Sequence, residues 1–256
     1  MPEITALHLT IAYVLVVIAS LYFIRRRMAN KDYLFDLFLL GAFGWIITFF
    51  FETIPFRFFT NSSLYTIGIG INDPKYIHEV SSNWSILLIA PLIIGVIEEL
   101  ARYQTFRLYN SIDKLMFKYR FKTSLFLGMG WASAEILVLT SFALLEGYDY
   151  NITLFTVMMG VYARLMAYIL QISLSFIVIF AVYEKSIKSR SLWLAILFNI
   201  LINTIFSVWI FFFANLAMEH PSLYLFTQQL IVGIKVVSIL IFTWKYLIPR
   251  SAPIME

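Results

Sequence analysis

Two adjacent carboxylates, Glu98 and Glu99, close an apolar run that begins Ala90-Pro91-Leu92-Ile93-Ile94-Gly95-Val96-Ile97, and Arg102 follows one helical turn later. A carboxylate in apolar surroundings can act as a general base toward water, ligate a cation or pair with a buried guanidinium. Other polar side chains interrupt apolar segments further on: Glu135, Arg164, Gln171, Asn199, Asn203, Ser207 and Lys235. Amides such as Asn199 and Asn203 could donate to an oxyanion, with Glu98 or Glu99 as the base. Arg102 lies four residues after Glu98 and three after Glu99, so on a helix it can reach back to either. The two acids sit about 100° apart around a helix, which predicts that one faces the interior while the other pairs with Arg102. Asn199, Asn203 and Ser207 recur every four residues and form one helical stripe, and Arg164, Gln171 and Ser175 form another. Convergence of Arg102, Arg164 and Lys235 on Glu98, Glu99 and Glu135 would leave the interior close to neutral. Packed dry, the same amides would serve as glue between helices.

The elements that must position these groups are transmembrane helices. Apolar residues make up 61% of the 256-residue chain and charged residues 13%, and the mean hydropathy is +0.84, outside the range of soluble domains. The expected fold is all-α: a polytopic membrane protein, one seven-transmembrane-helix bundle over residues 1–256. Spans are expected at about 4–24, 33–52, 84–108, 123–145, 152–183, 191–217 and 224–246, with an outer loop at 53–83. The first span ends in Arg25-Arg26-Arg27 and has no basic residue before it, so it reads as a retained span and not a cleaved signal. Most lysines and arginines then fall on one side, which predicts the N-terminus out and the C-terminus in. Asn61, Asn83 and Asn151 open glycosylation acceptor triplets at or beside the outer face. The expected location is an integral, multi-pass position in a plasma membrane or its equivalent. The bilayer is the expected partner, together with transmembrane segments of another membrane protein, and no nucleic acid. The chain has no cysteine, which excludes disulfides, thiolate metal ligands and a cysteine nucleophile.

Glu98-Glu99-Leu100-Ala101-Arg102-Tyr103 resembles the E-E-x-x-R motif of the YhfC-like intramembrane metalloprotease family. That family belongs to the superfamily of CAAX-prenyl proteases and bacteriocin-processing enzymes, which includes the anterior-pharynx-defective subunit of gamma-secretase. In the fourth span Gly128-Met129-Gly130-Trp131-Ala132-Ser133-Ala134-Glu135 resembles the family's G-x-G-H-G-x-x-E. In the sixth, Asn199-Ile200-Leu201-Ile202-Asn203 falls on H-x-x-x-N or H-x-x-x-D, and a fifth-span histidine would fall near Gln171. The resemblance covers residues 98–207 and implies an intramembrane hydrolase.

The departures are as informative as the matches. Trp131, Gln171 and Asn199 stand where the resemblance implies metal-binding histidines, and His8, His78 and His220 lie at span ends or in outer loops. Zinc favours nitrogen and sulfur donors, so no metal site and no cofactor is expected. Glu98, Glu99, Arg102, Glu135, Asn199 and Asn203 are the candidate catalytic residues. Trp131, Gln171, Arg164 and Lys235 are the candidate substrate-contacting ones. Three functions fit: a non-catalytic scaffold or subunit that binds a transmembrane segment, an active peptidase with Glu98 or Glu99 as general base, and a proton- or cation-coupled transporter. The histidine losses favour the first. The Gly128 and Gly130 region doubles as a small-residue face for close helix packing.

Overall fold

The computed structural model describes residues 32–59, 84–112, 120–145, 154–183 and 188–247. They form six α-helices: α1 Asp32–Phe59, α2 Trp84–Ile112, α3 Arg120–Leu145, α4 Leu154–Tyr183, α5 Lys188–Glu219 and α6 Pro221–Phe242. α6 runs on into a π-helical turn, Thr243–Leu247. There is no strand among the described residues. The expected first span at 4–24, residues 60–83 of the outer loop, the acceptor sites at Asn61, Asn83 and Asn151, and His8 and His78 lie outside the described residues.

Four helices contain windows long and apolar enough to cross a membrane: Tyr33–Phe51, Val161–Val182, Arg190–Trp209 and Ser222–Lys245. The shortest of the six helices has 22 residues, about 33 Å of rise against a hydrocarbon core of about 30 Å. Hydroxyls inside these apolar helices fold back onto their own backbone: Thr48 donates to Gly44 O at 2.7 Å, Ser173 to Ile169 O at 2.8 Å and Ser238 to Ile234 O at 2.8 Å. This satisfies them without a partner from another element.

One boundary is corrected. Residues 53–59, read as the start of the outer loop, continue α1 to Phe59. Glu52, Thr53 and Pro55 look like a stop, but Phe50, Phe51, Ile54, Phe56, Phe58 and Phe59 keep the segment apolar and the helix with it. In α5 the backbone of Phe213 leaves helical geometry, at φ −115° and ψ 15°, and kinks the helix.

α1 packs on α3 and α2, α3 on α4, α4 on α6, and α5 on both α2 and α6; α4 also touches α2 and α5. α3 fits between α1 and α4 because it presents glycine to each. A Cβ at Gly130 would run into the Phe38 carbonyl of α1, and one at Gly128 would lie 2.8 Å from Ile172 Cα of α4. Close backbone approach of this kind needs the missing side chain. The core between the helices is large and apolar, with Trp131, Phe106, Leu37, Leu127, Leu174 and Ile177 all fully buried. Phe43, Phe50, Trp193, Phe212 and Ile234 face outward and stay exposed.

Helices that follow one another in the chain run antiparallel, as paired contacts show. On α3 and α4, Gly128 meets Ile172 while Ser133 meets Tyr168. On α5 and α6, Phe198 meets Phe242 while Trp209 meets Tyr224. Exposed Arg107, Lys122, Arg190 and Lys245, near the ends of α2, α3, α5 and α6, therefore share one end of the bundle.

Candidate functional site

α2 delivers the two acids and the arginine to the centre of the bundle. Arg102 Nη1 lies 3.1 Å from Glu99 Oε1 and 3.3 Å from Oε2, with both side chains inaccessible. The guanidinium plane is covered by Trp131 of α3, the Arg102 Cζ standing 4.7 Å from the ring centroid. This is a cation–π contact in a desolvated setting, worth about 2 kcal/mol. The other terminal nitrogen, Nη2, donates to Gln171 Oε1 of α4. Gln171 Nε2 in turn donates to Glu135 Oε2 of α3 at 2.6 Å.

On the α5 side, Asn199 Nδ2 donates to Glu98 Oε2 at 2.8 Å and to Glu99 Oε1 at 2.7 Å. Its own carbonyl accepts from Asn203 Nδ2 at 2.8 Å. α5 comes this close because α2 carries Gly95, where a Cβ would lie 2.9 Å from the Ile200 backbone nitrogen. Eight of the ten expected site residues thus join one network: Glu98, Glu99, Arg102, Trp131, Glu135, Gln171, Asn199 and Asn203. It links four helices, and Glu99, Arg102 and Trp131 at its centre are fully buried.

Two expectations need correction. Glu99 pairs with Arg102, as expected of one of the two acids, but both acids face the interior: each reaches the same amide of Asn199, because a glutamate's three side-chain torsions bridge the angular offset once α5 is this near. Lys235 does not offset the acids. Its Nζ contacts the Ile202 carbonyl at 3.5 Å, since α6 packs chiefly on α4 and α5. Arg164 stands near enough to Glu135 to interact electrostatically with it, without a hydrogen bond between them among the described residues.

Two further residues belong to the surroundings. Trp45 of α1 lies with its buried indole beside Glu98. Tyr168 sits 3.3 Å from Ser133 Oγ. Tyr168 could have been found, because it falls on the Arg164, Gln171 and Ser175 stripe at helical spacing. Nothing in the sequence distinguishes Trp45 from the other tryptophans.

The donor set does not fit zinc. A cation bridging Glu98 and Glu99 would need the place that the Asn199 amide nitrogen holds between them. Trp131 offers an indole N–H, a donor without a lone pair for a metal. Gln171 turns its carbonyl to Arg102 and its amide to Glu135, so neither end is left to coordinate. Among the described residues no three His, Cys, Asp or Glu side chains gather closely enough to hold a metal ion. Comparisons with family models, curated proteins and solved structures give no match.

Proposed function

We propose that this chain is an integral, multi-pass membrane protein of seven spans, N-terminus out and C-terminus in, built on an intramembrane-protease-like plan and working as a non-catalytic scaffold that binds a transmembrane segment of a partner. The gathering of Arg107, Lys122, Arg190 and Lys245 at one end of the bundle supports the orientation, with that end inside. The outward-facing Phe43, Phe50, Trp193 and Phe212 suit a lipid surface.

The observation that carries the functional reading is what Trp131, Gln171 and Asn199 do. These three stand where the YhfC-like resemblance implies metal ligands, and each is spent on the motif's own charges. Trp131 covers Arg102, Gln171 bridges Arg102 to Glu135, and Asn199 binds both Glu98 and Glu99. A site built this way holds helices together in the interior and leaves Glu99 no freedom to act as a base.

One observation favours a second reading, peptidase activity through Glu98. This acid stands outside the Arg102 ion pair and takes a hydrogen bond from Asn199, with the Trp45 indole beside it. The test is Glu98→Gln in native membranes, read by fragment analysis and by the size of the native assembly, with zinc measured in the purified protein. On the scaffold reading fragments are unchanged and zinc is not stoichiometric. Fragments that disappear in a well-folded Glu98→Gln protein would establish the peptidase, and one zinc per chain would overturn the scaffold.

A further inference from the structure

The polar residues of the interior are not distributed evenly along the bundle. Because helices consecutive in the chain are antiparallel, a step toward the N-terminus of α2, α4 or α6 and a step toward the C-terminus of α3 or α5 move in the same direction. Arg102, Trp131 and Gln171 lie at one level and are all buried. Toward the end carrying Arg107 and Lys122, the next level is sealed: Phe106, Leu127, Leu174 and Ile177 have no measurable accessibility, and Ser175 beside them is buried as well. Toward the opposite end come Glu98 on α2, Glu135 on α3, Tyr168 and Arg164 on α4, Asn203 and Ser207 on α5, and Lys235 on α6.

Glu135, Arg164, Tyr168, Asn203 and Lys235 are each partly exposed, unlike the level beneath them. Four charged or amide side chains from four helices, partly exposed at the same level of a bundle, would be costly against hydrocarbon. At bilayer depth such groups face the interior or a water-filled cavity.

We infer that the bundle holds a one-ended water vestibule, which opens at the end where α2, α4 and α6 begin, brings solvent to Glu98 and Glu135, and stops at a floor made by Arg102, Trp131 and Gln171. It stops short of the other face of the membrane, because Phe106, Leu127, Leu174 and Ile177 beneath that floor are fully buried. The inference is independent of the scaffold reading, since a partner segment and a peptidase water would both use the same approach.

The chain has no cysteine of its own, so single cysteines report solvent without background. Ser207→Cys on α5 and Ser133→Cys on α3 sit above the floor, and Ser175→Cys on α4 sits below it; each exchange is close to isosteric. The full-length variants, reconstituted in lipid vesicles, are treated with a charged, membrane-impermeant methanethiosulfonate reagent. Ser207→Cys and Ser133→Cys are expected to lose their free thiol, from one face of the membrane only, over a time in which Ser175→Cys keeps its own until unfolded. Protection of both upper positions in folded protein, or modification of Ser175→Cys at the same rate, would overturn the vestibule.

Discussion

Arg102 on α2 donates to Gln171 on α4 across 69 positions of sequence, and the far end of the same amide holds Glu135 of α3. One neutral side chain therefore stands between a buried cation and an acid, and ties three helices at one point. The amide takes Nη2 of the guanidinium and Glu99 takes Nη1.

Gln171→Leu keeps the volume but leaves Arg102 Nη2 and Glu135 each without this partner. Removing the partner of a buried charge costs about 3–5 kcal/mol, well above the roughly 0.6–2 kcal/mol of a neutral hydrogen bond between membrane helices. A large fall in thermal unfolding temperature of the purified protein in detergent is expected. An unchanged midpoint would mean that Arg102 and Glu135 satisfy each other directly.

The two asparagines of α5 separate along the same lines. Asn199 donates to two carboxylates, whereas Asn203 donates to the neutral carbonyl of Asn199. Asn199→Leu is expected to cost about 3–5 kcal/mol by stranding acids, and Asn203→Leu about 0.6–2 kcal/mol. Denaturant titration of the two variants side by side checks the order. Equal losses would show that the stripe acts as generic helix glue.

The helices and the polar stripes were legible because both rest on periodicity, which needs only the spacing of residues along one helix. Asn199, Asn203 and Ser207 declare their common face this way, and Glu99 with Arg102 declares its pair. What Trp131, Gln171 and Asn199 do was not legible, because a cation–π contact or a bridging amide depends on which helix lies opposite. Lys235 failed for that reason: its depth matches the acids, but its helix packs elsewhere. Residues 53–59 failed for another, since a polar Glu52-Thr53 and a proline outweighed the aromatic run in which they sit.

α3 yields a prediction whose sign runs against helix propensity. Alanine is about 1 kcal/mol better than glycine inside a helix, so on propensity alone Gly130→Ala should stabilise. The added Cβ, however, would meet the Phe38 carbonyl oxygen of α1, with the Phe38 carbonyl carbon at 2.8 Å and Ala42 N at 3.0 Å. These are backbone atoms of a packed helix, and they cannot rotate aside as a side-chain tip could. Overpacking of a tight interface costs about 1–3 kcal/mol, which exceeds the propensity gain. Gly128→Ala meets Ile172 Cα on the other flank, and α3 cannot retreat from α1 without pressing on α4. The double variant is therefore expected to lose more stability than the sum of the two single ones, as residues sharing one shift do. Unfolding midpoints of the three variants measure this, and a midpoint raised by Gly130→Ala would show that α1 and α3 stand further apart than their contact at Phe38 implies.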